Sequence, residues 1–303
     1  MSRPLVPPIV LSSTFAFPTN DALAAAVRDH EPHLYARWSN PTVDAVEAGM
    51  AAVHLALLAA LGDGVGPLAV QREVYGGTHE LVEAVRWPAG VTVLRPTLDE
   101  LRSVAADLPP GAVLYVETPT NPLIRLVDLR ALRAACGPDV RIVVDATFAS
   151  PALHRPLADG ADLVLHSATK ALGGHHDLVA GVVSGAGPLM EAVWRWRKIL
   201  GPTLDPEAAY RLWRGLQTLS LRVERQSRTA ATLALRLREH PAVVAVHHPS
   251  LPDHPDHALL LARHTDGLAG GVLAVDLGSA RAAATVVDAL RHIAVAPSLG
   301  GTH

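Results

Sequence analysis

The sequence predicts an α/β fold: a large domain with a mixed, mostly parallel sheet, then a smaller α+β C-terminal domain that reads as incomplete. Three observations predict it. Short β-branched runs alternate with helical stretches between about residues 67 and 183, the pattern of an α/β layer. Polar residues gather just after the strand ends, where open α/β sheets place their ligands. After about Gly201 the alternation gives way to a long Arg- and Leu-rich helical stretch followed by only a few short strand-like runs.

The elements follow in order. Residues 1–40 form an extended arm, because Pro4, Pro7, Pro8, Pro18 and Pro32 break any helix. Asn40-Pro41 starts a helix that runs over Thr42–Leu61 to a C-cap at Gly62. Strands are expected at Pro67–Val74, Val91–Leu94, Ala112–Glu117, Arg141–Asp145, Asp162–His166 and Leu178–Val183, with helices at Thr78–Val85, Thr97–Ala106 and Asp128–Ala135. These fill a second unit over 41–200. In the third, 201–303, Asp205–Glu239 is one long helical stretch containing Gly215. Strands at Val243–His248 and Gly271–Leu277 and a helix at Ala280–Arg291 complete it.

Composition excludes several classes of function. The 303 residues are 49% apolar and 18% charged with a net charge of −3, so the chain is neither disordered nor a basic nucleic-acid binder. One cysteine, Cys136, excludes a disulfide scaffold and fits a reducing cytoplasm. No signal peptide and no apolar run of about 18 residues is evident, so no membrane span is expected. Of the 26 basic residues only Lys170 and Lys198 are lysine. Lysine-dependent chemistry is therefore easy to locate.

Lys170 stands in Ser167-Ala168-Thr169-Lys170, directly after the strand Asp162–His166. An amine at a strand end can form a Schiff base, and the flanking hydroxyls can bind a nearby anion such as a phosphate. Asp145 ends an apolar strand that should be buried, and a buried carboxylate needs a cationic partner. A protonated pyridine nitrogen would be one; a helix-capping role for Asp145 is the alternative. Tyr75-Gly76-Gly77-Thr78 offers an aromatic ring at a glycine turn, able to stack on a flat cofactor.

In order, Pro7-Pro8-Ile9, Tyr35-Ala36-Arg37, Ser39-Asn40-Pro41-Thr42, Tyr75-Gly76-Gly77-Thr78, Glu117-Thr118-Pro119-Thr120-Asn121-Pro122, the run Asp145–Pro151, Ser167–Lys170, Gly174-His175-His176-Asp177 and Ser298-Leu299-Gly300-Gly301 give the chain a family resemblance. It resembles the Cys/Met-metabolism pyridoxal-phosphate enzymes: cystathionine γ-synthase, cystathionine γ-lyase, methionine γ-lyase and their relatives. The resemblance implies a fold-type-I, pyridoxal-phosphate-transferase-like architecture. It implies γ-replacement or β/γ-elimination on cystathionine, O-acylhomoserine or methionine-like amino acids. Pyridoxal 5′-phosphate would be the cofactor, and the assembly a homotetramer built from dimers that share active sites.

It also implies roles. Lys170 would hold the cofactor and shuttle protons. Asp145 would keep the pyridine nitrogen protonated, and Tyr75 would stack on the ring and assist departure of the γ-substituent. Ser167, Thr169 and the amides of Gly49 and Met50 would bind the phosphate, with Tyr35 and Arg37 reaching the phosphate of a neighbouring subunit. Asn121 and Glu117 would lie near the ring hydroxyl, and Ser298 would help place the substrate carboxylate.

The chain departs from the family pattern in two places. A helix's worth of sequence is missing before Gly49, together with the serine that usually precedes that glycine. If Thr42–Leu61 is one continuous helix, the amides of Gly49 and Met50 are used internally and phosphate binding is weakened. The family's carboxylate-clamping arginine lies beyond His303. Pro297 replaces a glutamate that often precedes the serine, which leaves synthase and lyase both open. The rival reading is a catalytically impaired or inactive cofactor-binding remnant. Sixteen histidines, with His247-His248, His254 and His257 close together, raise a metal site; their spacing on a proline-rich loop matches none, so no metal is expected.

Overall fold

Gly49–Leu61 (α1) is apolar around almost its whole circumference, with His54 its one polar side chain, so most of it has to be buried. It lies on one face of the central sheet and makes the core of that layer. Arg141 donates its guanidinium to the Ala60 carbonyl at the helix's C-terminal end, where a cation complements the exposed carbonyls. The structure, a computed structural model, describes residue 25 and residues 49–62, 66–293, 295 and 298–302. Residue 25 is helical, where the sequence predicts an extended arm; the rest of the N-terminal arm and residues 42–48 of the expected first helix lie outside the described residues.

The sheet contains Leu68–Val70 (β1), Val93–Leu94 (β2), Val113–Glu117 (β3), Arg141–Asp145 (β4), Leu163–Ser167 (β5) and Gly181–Gly185 (β6), in the order β2-β1-β3-β4-β5-β6. The first five are parallel and β6 runs antiparallel to β5. Connecting helices Gly76–Ala84 (α2), Leu101–Asp107 (α3) and Leu129–Ala135 (α4) return the chain between parallel strands. The α4 start is capped by Asp128, which accepts from the Ala131 amide at 3.1 Å.

Side chains alternate across the strands. Tyr115, Val143, Leu163 and Leu165 face α1 and the helix Gly187–Leu200 (α6); Leu114, Val116, Ile142 and Val144 face α3 and α4. Both faces are covered, as a parallel sheet requires. Register places Glu117 beside Asp145 and Asp145 beside Leu165. By parity Glu117, Asp145 and Ser167 therefore end three neighbouring strands on the α1 side.

The short helix Ser150–Leu153 (α5) follows β4. Beyond α6 come Pro206–Leu216 (α7), Leu219–Arg238 (α8), Ala245–His247 (β7), His257–Arg263 (α9), Ala274–Asp276 (β8) and Ala280–Ala289 (α10), with β7 and β8 forming a two-stranded antiparallel sheet. The expected single stretch Asp205–Glu239 is thus two helices. The chain turns at Gln217-Thr218, where the Thr218 amide bonds back to the Gly215 carbonyl at 3.3 Å. Several expected strands are also shorter. Residues 178–180 do not join β6, because the Ala180 amide and carbonyl are engaged by the Thr169 hydroxyl and amide. Chain direction after β3 is fixed from afar: Arg125 forms a two-pronged ion pair with Asp256, at 2.6 and 3.2 Å. Among the described residues no helix is long and apolar enough to cross a membrane, and no group of three or more His, Cys, Asp or Glu could hold a metal ion.

Gly215 lets α7 touch backbone. A Cβ there would stand 2.4 Å from the Gly173 carbonyl oxygen and 2.7 Å from that of Leu172. Alanine gains about 1 kcal/mol of helix propensity, but the clash is with main chain that cannot swing away, and such overpacking costs about 1–3 kcal/mol. Gly215→Ala is expected to lower the urea midpoint; a midpoint equal to or above the native one would show that this approach is looser than described.

Candidate active site

The C-terminal ends of β3, β4 and β5 open into a cavity of about 260 Å³ lined by Tyr75, Glu117, Asp145, Ser167 and Lys170, among others. Each of these residues arrives there for a local reason. Asp145 is the last residue of a strand buried on both faces. Its carboxylate accepts from the Thr147 amide at 2.9 Å and the Thr147 hydroxyl at 2.5 Å, with the Tyr115 hydroxyl at 3.4 Å on the other oxygen. Glu117 is its neighbour on β3. Glu117 accepts from the Tyr75 amide at 2.8 Å, and its own amide donates to the buried Gln71 side chain at 3.1 Å. That bond fixes the turn on which Tyr75 stands, leaving the Tyr75 ring half exposed at the rim. Gly77 lets the ring lie close to the chain, since a Cβ there would stand 2.6 Å from a Tyr75 ring carbon and push the ring aside.

Lys170 follows β5 on a tight turn, its amide bonded to the Ser167 carbonyl at 3.1 Å. Its ammonium donates to the Ser298 hydroxyl at 2.8 Å. Partial burial lowers its pKa from the ordinary lysine value, which enlarges the neutral, nucleophilic fraction. Burial acts oppositely on the carboxyls. It raises the pKa of Asp145 against the bonds from Thr147 and Tyr115. It raises that of Glu117 further, with the nearby Asp145 charge adding to the effect. Among the described residues no cationic side chain bonds to Asp145, so a proton or a positively charged ligand atom is needed to offset its burial.

The donor set therefore suits a particular kind of group: one with a carbonyl for the Lys170 amine and a cationic ring nitrogen for Asp145. Gly49, Met50, Ser167 and Thr169 line the same cavity, and the Ser167 hydroxyl lies against Gly49, where a Cβ would meet it at 3.2 Å. Pyridoxal 5′-phosphate fits these residues.

Comparison with known proteins agrees. The family profile described as Cys/Met metabolism PLP-dependent enzyme matches residues 2–303. The chain belongs to this family. It is 37% identical to an L-methionine gamma-lyase of Pseudomonas deceptionensis, over 98% of this chain and 79% of that protein. It is 39% identical to a cystathionine gamma-synthase of Mycobacterium tuberculosis, over 97% and 79%. A crystal structure of cystathionine gamma synthase from Xanthomonas oryzae pv. oryzae in complex with cystathionine matches with a TM-score of 0.88 at 35% identity, covering 98% of this chain and 79% of that one. The fold is accordingly that of the family's PLP-dependent, fold-type-I enzymes, as the sequence motifs imply.

Within this family member, the expected site residues Tyr75, Glu117, Asn121, Asp145, Ser167, Thr169, Lys170, Gly49 and Met50 are brought to one cavity, and Ser298 reaches it through Lys170. Tyr35 and Arg37 lie outside the described residues. The Thr169 hydroxyl is already engaged: it accepts from the Ala180 amide at 3.0 Å and sits 3.3 Å from the Ala180 carbonyl. The expected break or continuity of the helix before Gly49 rests on residues outside the described set.

Sequence reasoning missed two supporting residues. Thr147 bonds Asp145 with amide and hydroxyl while its hydroxyl accepts from the Ser167 amide at 2.8 Å, joining the ends of β4 and β5. Its position two residues after a strand-end aspartate is the signature of an Asx turn and could have revealed it. Gln71 had a weaker signal, a polar residue just past an apolar strand.

The raised Glu117 pKa has a consequence for stability. Above the ordinary 4.5 the folded chain keeps a proton that the unfolded chain releases. The group's contribution is therefore intact at lower pH and is lost as the pH rises through the folded value. Glu117→Gln has no proton to lose. In urea unfolding of the cofactor-free protein, its stability relative to the native chain is expected to grow from about pH 4 to about pH 8; a difference independent of pH would mean that Glu117 is solvated.

Proposed function

We propose that this chain is a PLP-dependent transsulfuration enzyme catalysing γ-replacement or β/γ-elimination on cystathionine, O-acylhomoserine or methionine-like amino acids. The observation that carries the reading is one cavity joining a depressed-pKa amine, Lys170, to a buried carboxylate without a cationic partner, Asp145. The kind of substrate is supported by the relatives, named as methionine gamma-lyase and cystathionine gamma-synthase.

Each residue has a part that its surroundings support. Lys170 would hold the cofactor, and its amine, once freed, would take the substrate's Cα proton and return it along the side chain being broken or replaced. Ser298 accepts from the Lys170 Nζ and so aims that amine. Asp145, steadied by Thr147, holds the positive charge at the far end of the cavity. Ser167 and the start of α1, at Gly49 and Met50, hold the phosphate. Tyr75, at the rim, would cover the ring, and Asn121 and Glu117, which line the same cavity, would border it. When bound, the cofactor supplies an electron sink for the charge that develops at Cα.

The remaining parts of the proposal concern organisation. Residues 41–200 form the cofactor domain and 201–303 the second domain. The enzyme works in the cytoplasm as a homotetramer built from dimers, with Tyr35 and Arg37 completing a neighbour's phosphate site. The resemblance of the N-terminal motifs to the family supports this assembly.

Purified with added pyridoxal phosphate, the native protein is expected to show visible cofactor absorbance and to consume at least one of cystathionine, O-acetylhomoserine or methionine. Lys170→Ala should lose the absorbance and at least about 10²–10⁴-fold of turnover. Equal spectra for the two proteins would remove Lys170 from its role. Absorbance without turnover on any of the three would instead support the non-catalytic rival.

A further inference from the structure

Lys170 and Ser298 are 128 residues apart in sequence, yet their contact is a single hydrogen bond of 2.8 Å. Something must hold the two segments in register, and it lies on α8. Arg222 sends one guanidinium nitrogen to the Ala171 carbonyl at 2.7 Å and the other to the Gly215 carbonyl at 2.6 Å and the Leu172 carbonyl at 3.4 Å. Its Nε donates to the Thr218 hydroxyl at 3.0 Å. These acceptors are neutral: the backbone immediately after Lys170 and the C-terminal end of α7. A planar fork spanning several carbonyls is a task for arginine that a single ammonium cannot perform. The backbone has left room for it, since a Cβ on Gly174 would fall 1.9 Å from the guanidinium.

One helical turn further along the same face stands Gln226. Its amide donates to the Gly301 carbonyl at 3.0 Å. The segment so held is pressed onto the lysine's own main chain: a Cβ on Gly300 would meet Ala171 N at 2.7 Å and the Lys170 carbonyl carbon at 2.8 Å. Arg222 therefore holds the Lys170 side of the contact and Gln226 the Ser298 side. A cavity of about 160 Å³ beside Gln226 is lined by Lys170, Gly300 and Gly301 and shares Lys170, Thr147, Phe148 and Leu299 with the main site.

We infer that Arg222 and Gln226 are positioning residues for the reaction, a paired clamp on α8 that sets the Lys170 amine against Ser298. This rests on the function proposed above. The clamp touches neither substrate nor cofactor; it acts through Lys170. A shift of the amine by about 1 Å costs on the order of 10²-fold in rate while binding of the remote parts of the substrate is untouched. Loss of the clamp should therefore appear in kcat and leave KM nearly alone.

The test compares native enzyme with Arg222→Lys, Gln226→Leu, and Arg228→Ala as a control on the same helix, where Arg228 makes only an exposed pair with Glu224. Arg222→Lys and Gln226→Leu are expected to lower kcat by about 10–100-fold with KM changed less than about threefold, and to shift the visible absorbance of the bound cofactor. Arg228→Ala should match the native enzyme. In the cofactor-free protein, amide exchange of residues 298–302 should quicken in both clamp variants, and Arg222→Lys should also quicken 170–174. Lower melting temperatures with native kcat and native absorbance would overturn the inference, reducing the clamp to a structural brace. Should Arg222→Lys fail to fold, Gln226→Leu alone decides. A native protein that neither absorbs nor turns over would instead refute the functional reading, leaving the exchange data to judge the clamp by itself.

Discussion

A carboxylate at the end of a strand buried on both faces is the constraint around which this molecule is arranged. Asp145 is largely shielded from bulk water, so protein groups and ligand must supply most of its partners. Thr147 supplies two donors and Tyr115 a third, yet burial still pushes the carboxyl towards holding a proton. Glu117 on the adjacent strand brings no cation to relieve it, and is itself pushed up by burial and by the Asp145 charge. Two acidic groups side by side, with no protein cation bonded to Asp145 among the described residues, form a site that favours a cationic ligand atom. Such an arrangement destabilises the empty fold, and binding recovers part of that energy.

The sheet provides this constraint because of its parity. Odd-numbered core positions on β3, β4 and β5 face α1, so carrying β3 and β4 one residue past their apolar runs, and β5 two past its own, delivers Glu117, Asp145 and Ser167 to a common face. α1 then closes that face. It is so largely apolar that most of it sits inside, and its first described residues, Gly49 and Met50, come to line the cavity beside Ser167. Cofactor and core are thus served by the same packing.

Much of this was legible in the sequence because strands and their ends are written in short apolar runs. Arg141–Asp145 is read correctly to the residue, and the polar clusters after the strands do mark the cavity. Contacts between distant segments were not legible. Nothing in the local pattern of Leu219–Arg238 reveals that Arg222 reaches Ala171, or that Gln226 reaches Gly301. Periodicity reports that a face is buried, not what it is buried against. The split of the expected long helix at Gln217-Thr218 has the same origin. Propensity favours continuity there, but Gly215 is committed to backbone contact with Gly173 and its carbonyl to Arg222, so tertiary bonds end the helix.

The amine of Lys170 shows how these two kinds of information meet. Its place on the chain is fixed by β5 and the turn that follows, both local. Its protonation is not. The depressed pKa comes from burial, and the walls that bury it include Leu299 from the C-terminal segment. A lysine solvated at the strand end would be almost wholly protonated at neutral pH and a poor nucleophile. The segment carrying Ser298 therefore does more than offer an acceptor: by covering the strand end it shifts the amine towards the neutral form, and by accepting from Nζ it gives that amine a direction. Reactivity at Lys170 is in this sense a property of the contact between the two halves of the chain, while the carboxylate across the cavity, Asp145, is placed by the end of its strand.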